Sequence, residues 1–367
     1  MIRILHVLGS LNMGGAETLV MNLYKNIDRS KIQFDFVIHG DEKGYYEEEI
    51  TKLGGKIYRV PLYKGYNHFS YKKVWKSFLK EHSEYRIIHG HMRSTASIYL
   101  NIAKKMGLFT ISHSHNTSNG KGFSSMIKKI LQYKIKYVAD YFMGCSYEAN
   151  KWLFGKRVAN SNKCIVLNNG IDTTKFNYSD EKRKKSRKEL GLNNEFVIGN
   201  VGRLCYQKNQ EYLLDVFYEV KKIKNNSKLL LIGSGELKNE LEEKAKSLDI
   251  FEDIIFLSNR NDIDCLMNAM DCFVFPSRFE GLGIVVIEAQ STGLKCVISD
   301  TIPSNVIVTN LVKTMSINVD ACDWAKEIVK DFDKREDKVK EIIDAEFDIK
   351  KSAEKLCELY FSILKIY

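Results

Sequence analysis

Two carboxylates, Glu280 and Glu288, stand eight positions apart in PSRFEGLGIVVIEA, directly after the apolar run CFVF at 272–275. CFVF reads as a buried parallel strand, because it is continuously apolar and stops at Pro276. The loop PSRFEGLG follows, and GIVVIEAQSTG carries apolar residues at helical spacing up to a capping Gly293. Ligands of open α/β sheets sit at the carboxyl ends of strands. Glu280 belongs to the loop at that end, and Glu288 lies a turn or more into the helix. Two acceptor groups held ~10 Å apart, at a helical rise of ~1.5 Å per residue, can grip hydroxyls on two parts of one long ligand. A sugar nucleotide, with its sugar at one end and ribose near the other, has that shape.

Other residues add chemistry of the same kind. Arg203 and Lys208, in NVGRLCYQKNQ, follow an apolar strand and precede a helix. Two fixed cations there suit a diphosphate, Arg as a fork and Lys as a point charge, and would stabilise a departing phosphate without a metal. Gly14 and Gly15, in GSLNMGGAE, open the first helix, whose free N–H groups favour an anion. Gly9 and Gly14 have P-loop spacing, but Gly15 and Ala16 stand where Lys and Ser/Thr belong, so that motif is excluded. Gly233 and Gly235 offer the first two glycines of a dinucleotide fingerprint, with Lys238 in place of the third. His113 and His115, in TISHSHNT, are two residues apart along a strand and so share a face. Without HExxH or a nearby Cys, contact with a substrate suits them better than zinc.

Positioning these groups requires two runs of alternating strand and helix. IRILHVL, FDFVIHG, KIYRVPL, YRIIHGH, LFTISHSH, YFMGCS and CIVLNNGID read as strands of the first run, with Ala16, Leu19, Val20, Leu23 and Ile27 forming one face of its first helix. SDEKRKKSRKELGL reads as a linker or as the first helix of a second unit. FVIGNVGRL, KLLLIGSG, IIFLS, CFVFP and KCVISD are the strands of that unit. Such alternation argues parallel sheets flanked by helices, hence two Rossmann-like domains. The helix IKKSAEKLCELYFSILKIY can pack on either one.

At 367 residues the chain has room for two cores. No window approaches the ~20 apolar residues of a membrane span and no signal peptide is apparent, so a cytoplasmic chain is expected. Eight scattered cysteines form no CxxC pair and read as reduced core residues. Charge is uneven. Residues 1–172 carry 26 Lys/Arg against 13 Asp/Glu, and Tyr85 to Ala139 holds nine basic residues and no acidic one. That face implies an anionic partner or surface. The basic, half-apolar helix SSMIKKILQYKIKYV is the expected membrane-surface contact, and no nucleic-acid module accompanies it.

Taken in order, GGAE (14–17), SHSHN (112–116), NNGID (168–172), GRLCYQKN (202–209), GSGE (233–236) and PSRFEGLGIVVIEA (276–289) resemble the retaining glycosyltransferases of family 4, bacterial capsular and exopolysaccharide enzymes above all. The resemblance implies the GT-B fold, an α/β architecture of two facing Rossmann-like domains with a cleft between them. Its expected divisions are an acceptor-side domain at 1–167, a nucleotide-sugar domain at 168–345, and a helix at 346–367 crossing back onto the first. Arg203 and Lys208 match the basic pair on the donor diphosphate. Glu280 matches the first acidic residue of the family motif, on the donor sugar, and Glu288 the second, on the ribose hydroxyls. Gly281 and Leu282 lie within that motif, Asn169 within NNGID, and Gly14 and Gly15 are placed against the diphosphate. His115 is matched to the histidine beside the transferred sugar, with His113 as the competing alignment. No metal cofactor is implied, and Asp262 and Asp264 read as a helix N-terminus. The resemblance implies transfer from a nucleotide diphosphate sugar, expected to be UDP-linked, to a lipid-linked saccharide. A sugar-nucleotide epimerase of the same fold and a basic nucleic-acid-binding protein are the alternatives.

Overall fold

The computed structural model describes residues 1–12, 14–115, 131–258, 260–330 and 335–366. They form two compact units, Met1–Gly170 with Ile349–Tyr367, and Ile171–Asp348. Each is built on one parallel sheet, and each sheet reverses its direction of growth near its middle.

In the first unit the strands are β1 (Ile2–Val7), β2 (Ile32–His39), β3 (Ile57–Val60), β4 (Ile87–Gly90), β5 (Phe109–Ser114), β6 (Tyr141–Gly144) and β7 (Cys164–Val166). Their order is β3-β2-β1-β4-β5-β6-β7. The chain winds one way from β1 to β3, returns to pair β4 beside β1 with Val7 opposite Gly90, and then winds the other way. Helices cover both faces, which explains why β2 is buried at every position.

The second unit holds β8 (Phe196–Val201), β9 (Ser227–Ile232), β10 (Ile254–Leu257), β11 (Cys272–Phe275), β12 (Lys295–Ser299) and β13 (Val312–Met315), in the order β10-β9-β8-β11-β12-β13. Its reversal lies between β8 and β11, where Ile198 pairs with Cys272 and Gly199 with Phe273. Strand β13 carries no buried alternation, being half-exposed or exposed throughout, so its apolar signal is too weak to read from VKTM. The charged segment after Ser179 is a helix, Asp180–Glu189, capped by the Ser179 hydroxyl accepting from Lys182 N–H. Arg183 and Arg187 of this helix donate to the carbonyls of Met270 and Ala269, and both pair with Asp271.

The helix Ile349–Ile366 belongs to the first unit. Ile349, Ala353, Leu356, Tyr360 and Ile363 recur at helical spacing and bury into the cluster of Ile4, Leu19, Val20, Leu23, Tyr24 and Phe34. The second unit ends at Asp348, three residues beyond the sequence-based boundary at 345. The cause is local. Asp348 bridges to Ile171 as a single strand pair and accepts from the Thr173 hydroxyl at 2.6 Å. No helix of the described residues is long and apolar enough to cross a membrane.

Leu356 is fully buried in that cluster. Leu356→Ala should lower the stability of the unit carrying β1 by about 2–5 kcal/mol. Hydrogen exchange of the β1 amides measures this, and unchanged protection would detach the helix from that core.

Candidate active site

In the second unit the carboxyl ends of β8 and β11 lie side by side, and their loops leave in opposite directions. Lys208 and Glu280, from these two loops, meet there. Lys208 Nζ is 2.7 Å from Glu280 Oε1 and 4.6 Å from the centre of the Phe275 ring. Both side chains are largely buried, at 17% and 7% exposure, so the pair sits where charge is weakly screened. Gln207 fastens the arrangement, donating to Phe279 O at 3.0 Å and to Glu280 Oε2 at 3.3 Å. Arg278 N–H donates to Gln207 O, and the Asn209 amide to Pro276 O, so the two loops form one bonded edge. Arg203 sits at the same strand end with its side chain exposed and no ion pair among the described residues, while Gln210 holds its carbonyl at 3.0 Å. Lys208 and Glu280 are therefore paired at this strand end, and Arg203 leaves the same end of β8 with its side chain free of that pair.

Glu288 lies in the helix Ile284–Ser291, entered through Gly283 at φ 84 and closed by Gly293 at φ 68. Val285, Val286, Ile287, Ala289, Gln290 and Ser291 are buried, leaving Ile284 and Glu288, both half-buried and four residues apart, on the stripe that reaches solvent. Burial pushes the Glu288 carboxyl up to about 7. Gln290 holds the next loop in place, accepting from Val308 and Thr309 N–H and donating to Val306 O.

In the first unit a cavity of about 370 Å³ is lined by Gly15, Glu17, Arg93, His115, Gln132 and Asn169, among others. The helix Gly15–Asn26 begins at its edge with no side-chain cap. A Cβ on Gly15 would meet nothing within 4 Å, so the glycine leaves room that the protein itself does not fill. The Asn169 Oδ1 is buried without a partner. His115 opens onto the cavity through its ring, whereas His113, expected to touch a substrate, lies beneath it and does not line that space. Their rings stack with centroids 4.1 Å apart.

His113 and His115 have company. His6 from β1, His89 from β4 and His91 just after it complete a buried cluster. His115 Nε2 is 2.9 Å from His91 Nδ1, and His91 Nε2 is 2.9 Å from His6 Nδ1. Tyr360 closes the chain, its hydroxyl 2.6 Å from His89 Nδ1 and 3.5 Å from His6 Nε2. Burial drives all five imidazoles down, His6 and His115 to about 3, so they are neutral at neutral pH. The same two-residue spacing that aligns His113 with His115 aligns His89 with His91 in IIHGH, and it was the available signal for this group.

The structure adds detail at three further places. Gly233 is required because a Cβ there would stand 2.0 Å from Gly202 O, and Gly235 because one would stand 2.1 Å from Leu204 O. Both serve the packing of one loop on another. Leu282 turns into the core, so only its main chain, with that of Gly281, can face a ligand. Asp262 and Asp264 stand at a helix N-terminus as expected, Asp262 at the N-cap and Asp264 in the first turn of Ile263–Ala269, with their carboxylates paired to Arg260 and Lys182.

Residues 13–175 match the family model described as Glycosyltransferase Family 4, and residues 182–346 that described as Glycosyl transferases group 1. The putative glycosyltransferase EpsF of Bacillus subtilis (strain 168) is 33% identical over 334 residues, 89% of this chain and 87% of its own length. The UDP-Gal:alpha-D-GlcNAc-diphosphoundecaprenol alpha-1,3-galactosyltransferase of Escherichia coli is 29% identical over 313 residues, 79% of this chain and 78% of its own. The crystal structure of Anabaena Alr3699/HepE in complex with UDP aligns at a TM-score of 0.81 over 99% of this chain and 100% of that one, with 18% identity. At that identity the likeness speaks for the fold.

Glu288 generates a pH test. Its folded value of about 7 lies above the ordinary 4.5, so the fold favours the protonated carboxyl. That stability is present below pH 4.5 and is lost as pH rises through 7. Glu288→Gln should therefore gain stability over the native chain between those limits, on the order of 3 kcal/mol at the alkaline end. Denaturant midpoints at both ends measure it; a difference independent of pH would refute the burial account.

Proposed function

The chain belongs to the family 4 glycosyltransferases and has their GT-B fold, and on that premise we propose that it transfers a sugar from a UDP-sugar to a lipid-linked saccharide, retaining the sugar's anomeric configuration and using no metal ion in the transfer. The reading is carried by the Lys208–Glu280 pair at the β8/β11 reversal, beside Arg203. The names of the relatives support UDP as the donor nucleotide and a diphospholipid as carrier.

The assigned roles follow from charge. A diphosphate arriving at Lys208 and Arg203 brings more negative charge than Glu280 alone supplies, so the lysine turns to the phosphate oxygens and frees Glu280 for a sugar hydroxyl. Glu288, on the open stripe of its helix, accepts the ribose hydroxyls. In the transfer, the bond from the sugar's anomeric carbon to the phosphate oxygen breaks and one to the acceptor oxygen forms on the same face. The acceptor's proton passes to the departing diphosphate oxygen, so the protein need supply no nucleophile. Lys208 and Arg203 stabilise that leaving group, the role a metal ion would otherwise fill.

The acceptor side is assigned to the first unit. A second cavity of about 860 Å³ is lined there by His39, Asp41, Glu42, Leu62, Lys64 and Tyr66, offering carboxylates for sugar hydroxyls and an exposed aromatic for a sugar ring. Membrane contact is assigned to the basic segment, in which Tyr133 and Tyr137 are exposed and Lys136 Nζ lies 4.2 Å from the Tyr133 ring centre. Lys128 and Lys129 of the same segment lie outside the described residues.

UDP should raise the thermal midpoint in the presence of EDTA, and Lys208→Ala should weaken UDP binding at least about tenfold, a loss of about 1.4 kcal/mol. An unchanged affinity would remove the diphosphate from this site, and abolition by EDTA would remove metal independence. Lys134→Glu with Lys136→Glu should reduce binding to vesicles containing phosphatidylglycerol at low salt. Equal binding by the variant would move the membrane contact elsewhere.

A further inference from the structure

Three of the clustered histidines have the makings of a metal centre. The ligating nitrogens of His91, His113 and His115 all lie within 4.8 Å of one another. His113 has no hydrogen bond at either ring nitrogen, and His115 has none at Nδ1, although these atoms are buried. A buried polar atom left unpaired costs about 1–3 kcal/mol, and native interiors hold few. His39 shows the ordinary solution in the same unit, with one nitrogen on Leu8 O and the other on the Tyr71 hydroxyl.

We propose that His91, His113 and His115 bind one divalent transition-metal ion of the zinc type. The donor set is three imidazoles with no carboxylate among them, which suits Zn²⁺, Co²⁺ or Ni²⁺ and not Mg²⁺ or Ca²⁺. His91 Nδ1 and His115 Nε2 are now 2.9 Å apart. Two nitrogens on one tetrahedral zinc, each at about 2.0–2.1 Å, stand about 3.3 Å apart, so this pair spreads by a few tenths of an ångström and the His113 nitrogen, within 4.8 Å of both, closes in as the ion binds. His113 supplies the third nitrogen at no loss of another bond. The remaining nitrogen of His91 is held 2.9 Å from His6, the kind of outer contact that orients a ligating imidazole.

Access selects this triad. A second group, His6, His89 and His91, also meets the distance condition but is buried at all three positions and tied to Tyr360. His91 and His115 both line the 370 Å³ cavity, so an ion can enter from it and keep its fourth position open to water. Glu17 and Arg93 line the same space as its charged neighbours. The site's existence does not depend on the transfer proposed above.

The test uses the full chain without an affinity tag, stripped with EDTA and desalted. Titration with Zn²⁺ should give one saturable site per chain, and Co²⁺ should show the visible absorption of tetrahedral coordination. His113→Leu, which preserves an apolar fit at a buried position, should weaken Zn²⁺ at least tenfold, while His89→Leu should change it less than threefold. His115→Ala, at the cavity edge, gives the same loss where His113→Leu does not fold by circular dichroism. No saturable Zn²⁺ uptake by the native chain would overturn the proposal, as would uptake unaffected by both His113→Leu and His115→Ala.

Discussion

A parallel sheet that changes its winding direction parts the loops at two neighbouring strand ends, and much else in this molecule depends on that parting. It happens twice, between β1 and β4 and between β8 and β11. Ordinary hydrophobic packing fills both faces of each sheet, so polar side chains find room chiefly at the strand ends. The reversal decides which strand ends can hold a pair of them. At β8 and β11 it brings Lys208 to Glu280 from positions 72 residues apart. At β1 and β4 it brings His6 beside His91 across 85 residues.

The two places handle buried polarity differently. At β8/β11 opposite charges neutralise each other, and Gln207, Asn209 and Arg278 fix the loops that carry them. Removing either partner would leave a charge in poor solvent, which is why such a pair suits a site where a ligand later takes over one partner's role. At β1/β4 the groups are uncharged imidazoles, stacked and linked nitrogen to nitrogen, with Tyr360 at the far end. Neutrality is what burial enforces there, and it leaves lone pairs in place of charges.

How much of this can be read from the sequence follows from the range of the signals. CFVF with Pro276 and the glycine-bounded helix after it are local patterns, and they locate Glu280 and Glu288 well. Alternation of strand and helix gives both sheets except β13, whose residues are half-exposed and carry little apolar pattern. The histidine cluster escapes because three strands contribute to it, and no window of sequence contains more than two of its members close together. Gly233 and Gly235 show the opposite case. The sequence marks them only as glycines, whereas the structure adds that the backbone of Gly202 and Leu204, some thirty residues earlier, excludes any side chain there. His113 and His115 are alike in sequence, and only the depth of the cavity separates them.

The first unit is interrupted in the chain, since everything from Ile171 to Asp348 is inserted before Ile349–Tyr367 returns to it. During synthesis from the amino end, all seven of its strands therefore emerge long before the helix that seals them. Until Leu356, Tyr360 and Ile363 arrive, Leu19, Leu23 and Phe34 lack part of their cover, and His89 lacks the hydroxyl that meets its Nδ1. The inserted unit has its whole sequence available earlier, so the part of the protein made first is the part finished last. A nascent chain of this design presents an open apolar groove to chaperones while the second unit is made, and a chain that ends at Asp348 carries a complete second unit attached to an unsealed first one.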